Sequence, residues 1–113
     1  MSRAPADPDD VRWWADTGAR ELGELLYWRW DPIGVAAEFP ASIGEYDAYV
    51  PPVRAALDRS APDGAVDAVA VCLATIEADA MGLDPVDDAR VRETARTIVA
   101  WRERSREAWW RRS

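Results

Sequence analysis

Apolar residues recur at helical intervals in four stretches of the chain, and no stretch shows the alternation typical of a strand. The first stretch predicts a helix over about residues 9–30, opened by the N-cap and first-turn acids of the segment 7–10. Gly18 and Gly23 each weaken that helix by about 1 kcal/mol relative to alanine, so we expect another helix to cross closely there. Trp13, Trp28 and Trp30 lie partly off the main apolar stripe, which predicts a helix that is apolar on two sides.

The segment that follows predicts a sharp end to this helix at Trp30. Pro32 fixes its own φ near about −65° and keeps Asp31 out of helical space. We expect the Asp31 carboxylate to accept a backbone N–H within the turn, and Gly34 to adopt a positive φ. Two interpretations are open: a helix terminator anchored by apolar neighbours, or an acidic rim of Asp31, Glu45 and Asp47 that a partner or cation recognises.

The second helix is predicted to begin between Ser42 and Glu45, and a turn is predicted over residues 60–64. Its inner face comprises the apolar positions at helical spacing, namely Tyr46, Tyr49, Val50, Val53 and Leu57. The pair Pro51-Pro52 falls within it, so we expect a kink or a split into two short pieces.

The third helix is predicted over about residues 63–81, with Gly82 at the position that ends it. Cys72 lies within it among small apolar residues, which indicates a buried structural thiol. The fourth helix is predicted to begin with Asp84 as N-cap and Pro85 as first residue, and to reach about residue 108. Its apolar side comprises Val86, Ala89, Ala95, Ile98, Val99 and Trp101.

The predicted fold class is therefore all-α: a compact bundle of about four helices with a kinked or split second helix. We expect a single helical domain over residues 1–113, with 1–8 flexible and 110–113 frayed. A chain of 113 residues buries roughly two-thirds of its unfolded surface, enough to fold without a metal or disulfide. One cysteine, no signal-peptide pattern and no apolar run of about 20 residues together predict a cytoplasmic protein.

Charge is divided unevenly along the chain, whose net value is −7. Residues 1–89 carry 18 acids and 6 arginines, whereas residues 90–113 carry 3 acids and 8 arginines. The overall acidity argues against nucleic-acid binding. We expect the basic segment to pair with the acidic part of the same chain. Its tryptophan-rich end, residues 101–112, has a composition found at nucleic-acid, membrane and protein interfaces, and a fraying amphipathic helix end is the alternative.

The chain lacks the residues that several kinds of catalytic chemistry require. Without histidine there is no Ser–His or Cys–His pair and no histidine metal motif, and without lysine there is no Schiff base or P-loop. Glu45 with Asp47, or Glu77 with Asp79, would supply a carboxylate pair, but residues two apart on a helix point to different faces. We therefore expect a protein that is not an enzyme, with no cofactor and no metal.

Three segments carry a resemblance: Trp30-Asp31-Pro32-Ile33-Gly34-Val35, then Glu45-Tyr46-Asp47-x-Tyr49 with Pro51, then Ile76-Glu77 and Met81-Gly82-Leu83. Their layout resembles a set of small bacterial proteins of unknown function, over roughly residues 22–100. Gly44, Ala78 and Asp79 depart from the more acidic or polar residues of that set. The layout also resembles small acidic immunity proteins that neutralise bacterial toxins, which implies a helical binding module.

The leading hypothesis is an acidic protein-binding module of the immunity or antitoxin type, whose partner is a protein such as a basic toxin. An acidic face steers a basic partner and raises its association rate. The alternatives are a self-associating structural protein, with Trp109 and Trp110 in a homodimer interface, and a carboxylate or metal-dependent enzyme. Neither nucleic acid nor a membrane is an expected partner. The candidate partner-binding residues are Asp31, Glu38, Glu45, Tyr46, Asp47, Trp109 and Trp110.

Overall fold

Four helices account for most of residues 8–112, the part of the chain that this computed structural model describes. Helix α1 covers residues 8–30, helix α2 Val50–Arg59, helix α3 residues 65–80 and helix α4 Asp88–Arg112. Short 3₁₀ turns occur at Val35–Glu38, Asp47–Tyr49 and Pro62–Gly64. No strand occurs between residues 8 and 112, and the predicted all-α bundle is confirmed.

Helix α1 contains two π-helical segments, Trp14–Gly18 and Leu26–Trp30. Its buried positions recur every four or five residues, which is wider than the 3.6-residue α-helical repeat; they include Trp13, Thr17, Leu22, Leu26 and Trp30. A π segment bonds residue i to residue i+5 and so adds a residue to the turn. The extra residue keeps buried positions that are four or five residues apart on the same face of the helix. Tryptophans at both ends of α1 therefore enter the core.

Helix α3 shows the same adjustment near its end. It consists of an α-helical part, Ala65–Thr75, and a π segment, Ile76–Ala80. Val69, Leu73 and Glu77, four residues apart, are all buried. Gly82 ends the helix with φ of +68°, as predicted, and the Leu83 N–H donates to the Glu77 carbonyl at 2.8 Å.

The second helix is split, as predicted, into the 3₁₀ turn Asp47–Tyr49 and the α-helix Val50–Arg59. It begins later than predicted, because residues 40–46 form consecutive turns. Pro51 and Pro52 occupy the first turn of the α-helical piece. A missing N–H has little effect there, since the first N–H groups of a helix have no intrahelical acceptor.

Helix α4 begins at Asp88, so the predicted start at Asp84-Pro85 is wrong. The Asp87 carboxylate accepts the Arg90 backbone N–H at 3.1 Å and thus acts as the cap. Ala89, predicted on the apolar side of the helix, is exposed. The buried residues of α4 are Val91, Thr94, Ala95, Ile98 and Trp101. The helix continues to Arg112, beyond the predicted end near 108. The predicted flexible segment lies, except for Pro8, outside the described residues, and fraying at 110–113 stays a prediction.

Tryptophans join α1 to α4 in the core. The ring centroids of Trp13 and Trp101 lie 5.4 Å apart, and Trp13 is 4.6 Å from Trp14. Both partners of the first pair also donate their indole N–H, Trp13 to Ser105 Oγ at 3.1 Å and Trp101 to Glu21 Oε1 at 3.0 Å. The Trp13 and Trp101 rings therefore supply apolar packing while their own N–H groups are hydrogen-bonded, whereas the buried Trp14 Nε1 has no hydrogen-bond partner among the described residues.

The basic fourth helix pairs with the acidic remainder of the chain, as predicted. Its ion pairs are Arg90 with Glu77 at 2.8 Å, Arg92 with Asp67 at 2.7 Å, Arg102 with Asp58 at 3.0 Å and Arg106 with Asp10 at 3.1 Å. Four of its arginines are thereby engaged within the fold. Most of the acids of the chain lie before α4 in the sequence.

Candidate functional site

Trp30, at the end of α1, is tied to α3 and α4 through one buried carboxylate. The Trp30 indole N–H donates to Glu77 Oε2 at 2.7 Å, and Arg90 Nη2 lies 2.8 Å from both Glu77 oxygens. Arg90 Nη1 also donates to the Trp30 carbonyl at 2.9 Å. The Glu77 side chain is 1% exposed, so its charge is stabilised almost wholly by these donors.

The next residue, Asp31, ties the following turn to Tyr46. Asp31 has φ of 30°, a left-handed conformation that reverses the chain after α1. Its Oδ1 accepts the Tyr46 hydroxyl at 2.6 Å and the Val35 N–H at 2.8 Å, which confirms the predicted bond within the turn. Burial, and then this hydrogen bond to Asp31, raise the pKa of Tyr46 well above its usual range. Gly34 has the predicted positive φ, at +74°.

These five residues, Trp30, Asp31, Tyr46, Glu77 and Arg90, form what we call the polar corner. It joins the three sequence segments that carried the resemblance, since Trp30 and Asp31 belong to the first, Tyr46 to the second and Glu77 to the third. Their hydrogen bonds run to one another and to Arg90. The corner therefore joins the end of α1 to the last turn of α3 and the first turn of α4.

Beside the corner lies an open groove of about 680 Å³ between α1 and the segment that leads into α2. We call it the aromatic groove; its walls include Gly23, Tyr27, Trp28, Ile43, Asp47 and Pro51. Trp28 is 54% exposed and Ile43 64% exposed. Phe39, which is 52% exposed, extends the apolar surface, because its ring lies 5.4 Å from that of Trp28.

The loop that carries Ile43 is fixed by the neighbouring residue, Ser42. The Ser42 hydroxyl is buried, lies 2.6 Å from the Tyr27 hydroxyl and donates to the Val35 carbonyl at 2.5 Å. Val35 is in turn bound to Asp31. One continuous set of hydrogen bonds thus links the polar corner to the wall of the groove, and Ile43 is presented to solvent from a braced turn.

Asp47 supplies the groove with a carboxylate that fits between two glycines. Its Oδ1 lies 2.9 Å from the position that a Cβ atom would take on Gly23, and its Oδ2 lies 3.2 Å from the corresponding position on Gly44. The close approach expected at Gly23 is therefore made by Asp47 and by Val50 at the start of α2. Across residues 8–112, no arginine forms an ion pair with Asp47.

The candidate residues taken from the sequence fall into three places. Asp31 and Tyr46 meet in the polar corner, and Tyr46 is only 1% exposed, so its prediction as a partner contact is wrong: its ring packs 5.4 Å from Trp30. Asp47 lies on the groove, while Glu38 and Glu45 are exposed on the turns that carry Phe39 and Gly44.

Trp109 and Trp110 are not part of the groove. Their rings stack 6.2 Å apart at the end of α4, where they line a separate cleft of about 490 Å³ with Trp13. Trp110 is 59% exposed. The two tryptophans are thus a second exposed aromatic feature, away from the polar corner.

Sequence reasoning missed Trp28, Phe39 and Ile43 as a surface, and Arg90 as the partner of Glu77. Two signals were present: apolar residues in a loop rich in proline and glycine, and a glutamate within the apolar face of α3. A glutamate at a buried position requires a cation or several donors. The identity of that cation could not be predicted, because the distance between Glu77 and Arg90 depends on how the turn at residues 81–87 folds.

The remaining chemistry of the chain is sparse. Cys72 is half-buried, and burial raises the pKa of its thiol while nearby Arg59 opposes that rise. Within residues 8–112, no three His, Cys, Asp or Glu side chains are grouped as metal ligands would be. None of the described helices is long and apolar enough to cross a membrane. No protein-family model, curated protein or solved structure matches the chain.

Proposed function

We propose that this protein is a non-catalytic protein-binding module and that the aromatic groove is its docking surface. The observation that supports this most strongly is the clustering of Trp28, Phe39 and Ile43, each more than half exposed, around one groove. Clustered exposed apolar side chains with a polar rim are typical of interaction sites, whereas single ones are ordinary. Aromatic residues are also the side chains that contribute most to protein interfaces.

The partner is proposed to be a basic protein. Glu24 and Asp47 line the groove, and Glu38 and Glu45 lie on the turns beside it. The one arginine of the groove wall, Arg20, lies 3.4 Å from Glu24. A rim with this excess of carboxylates attracts a positively charged surface and speeds its association. Neutralisation of a basic toxin in the bacterial cytoplasm, the immunity role, is one function of this kind.

Site-specific crosslinking tests the proposal. A photo-reactive amino acid at position 43 is expected to give a covalent adduct with a basic protein in cells of the native host. The matched control places the same group at position 71, because Val71 is 66% exposed and Ile43 is 64% exposed, but Val71 lies on α3 outside the groove. Equal adducts from both positions, or none from position 43, would contradict the proposal.

A second candidate function is self-association through Trp109 and Trp110. The stacked and exposed pair at the end of α4 favours it. Light scattering over a range of concentrations separates the two functions. A homodimer that becomes a monomer on replacement of Trp110 by serine would support self-association, and a monomer at high concentration would exclude it.

A further inference from the structure

We propose that the aromatic groove binds an arginine side chain of the partner, whose guanidinium is held by the Asp47 carboxylate and stacks on the Trp28 indole. This inference rests on the proposed function, since it names the chemistry of the side chain that a docked protein inserts. It follows from the unpaired carboxylate of Asp47, from the exposure of Trp28 in the same groove and from a second guanidinium in the fold that contacts both an indole and an aspartate.

Asp47 is positioned but not neutralised. Both of its oxygens approach glycine backbone, Oδ1 at Gly23 and Oδ2 at Gly44, where any larger residue would crowd them. No arginine pair and no hydrogen bond to this carboxylate occurs in the part of the chain that the structure describes. An exposed carboxylate at the wall of a groove, without a cation beside it, can accept two hydrogen bonds from a planar guanidinium.

Trp28 supplies the second half of the site. Trp28 is 54% exposed and lines the same groove as Asp47. A guanidinium stacks on an aromatic face and is more weakly hydrated than an ammonium, so it suits a groove whose other walls, such as Ile43 and Pro51, are apolar. Arginine is therefore favoured over lysine as the inserted residue.

The same chemistry operates within the fold. The Arg54 guanidinium lies 4.9 Å from the centroid of the Trp14 ring, and the Arg54 Nε is 3.5 Å from Asp58 Oδ2. An indole face and an aspartate thus hold one guanidinium between them on the surface of α2. The groove presents the same pair of groups, Trp28 and Asp47, with the cation supplied from outside.

A peptide titration tests the inference. The probe is a blocked peptide with one arginine between leucine and glycine, and its control carries citrulline, which keeps the planar shape without the charge. Binding is followed by the indole N–H resonances of the seven tryptophans, with that of Trp28 assigned by Trp28→Phe. We expect the arginine peptide to shift the Trp28 resonance and the citrulline peptide to bind about fivefold more weakly, as expected for one exposed ion pair.

Two variants complete the experiment. Asp47→Asn is expected to weaken the arginine peptide by the same factor, whereas Asp63→Asn, at an exposed acid on the 3₁₀ turn Pro62–Gly64, leaves it unchanged. Circular dichroism checks that both variants fold. Equal binding of the arginine and citrulline peptides, or no shift at Trp28, would overturn the arginine inference.

The two proposals fail in different ways. A position-43 adduct in cells, together with no preference for the arginine peptide, leaves the docking groove intact and removes the arginine inference. Loss of the position-43 adduct removes the proposed function itself.

Discussion

Removing Arg90 while leaving Glu77 in place is the sharpest perturbation of the polar corner. Arg90→Met deletes two contacts of 2.8 Å to the Glu77 oxygens and one of 2.9 Å to the Trp30 carbonyl. It leaves a carboxylate that is 1% exposed with the Trp30 indole as its remaining donor among the contacts described above. Stranding a buried charge in this way costs about 3–5 kcal/mol. Because the Arg90 side chain is 36% exposed, water reaches part of the vacated space, and we expect about 3 kcal/mol.

Urea unfolding measures this loss, with tryptophan fluorescence and circular dichroism as independent probes of the same transition. Arg92→Met is the matched control, because its partner Asp67 is 70% exposed and the pair lies in solvent. That variant is expected to change the free energy of unfolding by less than about 1 kcal/mol.

The double variant Glu77→Gln with Arg90→Met tests the cause. Once the buried charge is gone, the loss of Arg90 matters less, so the double variant is expected to be more stable than Arg90→Met alone by about 1 kcal/mol or more. Arg90→Met as mild as Arg92→Met, or a double variant whose loss is the sum of the single ones, would refute the reasoning.

Three further outcomes are expected. The folded state raises the pKa of Tyr46, so the stabilisation that the Tyr46 proton supplies is complete below the unfolded pKa of about 10 and is lost above it. Tyr46→Phe should therefore lose less stability than the parent between about pH 8 and pH 11 in urea titrations. The same dependence of unfolding free energy on pH in both proteins would contradict this. Since burial raises the pKa of Cys72, its reaction with an aromatic disulfide reagent at neutral pH should be several-fold slower in the folded protein than in urea, and equal rates would count against it. Gly82→Ala should destabilise the protein by about 1 kcal/mol, because alanine is strained at φ of +68°; no change in the urea midpoint would show that the turn relaxes.

The helices were predictable because each depends on local chemistry. The aspartyl-proline turn after Trp30 and the glycine after α3 end their helices where the sequence indicates. The start of α4 was misplaced because two aspartates competed for the cap, and the choice of Asp87 over Asp84 depends on the path of the turn before it. The π segments of α1 were not predicted, because they depend on how the tryptophans at both ends of the helix pack into the core.

The site was less predictable than the fold for a different reason. Glu45, Tyr46 and Asp47 are neighbours in the sequence, but Tyr46 is directed into the core and Asp47 onto the groove. The apolar side chains that define the groove come from α1 and from a loop, 15 residues apart for Trp28 and Ile43. Only the folding of the turns over residues 31–46 brings them to one surface, and no periodicity in the sequence records that arrangement.

The polar corner and the groove have separable consequences for the molecule. Three corner residues, Trp30, Tyr46 and Glu77, are buried, and Asp31 and Arg90 are part-buried partners of their hydrogen bonds, so replacement of corner residues is expected to lower stability. Groove residues such as Ile43 are exposed, so their replacement leaves the fold intact. Binding at the proposed docking surface can therefore be tested separately from stability.

The affinity of the partner captured at position 43, measured for Ile43→Ser beside Val71→Ser, tests this account most directly. The two residues match in exposure, so both variants are expected to unfold at the urea midpoint of the parent. We predict that Ile43→Ser weakens the complex about tenfold, as for a residue that contributes about 1.4 kcal/mol, and that Val71→Ser leaves it unchanged. A folded Ile43→Ser protein that binds its partner as tightly as the parent would contradict the account.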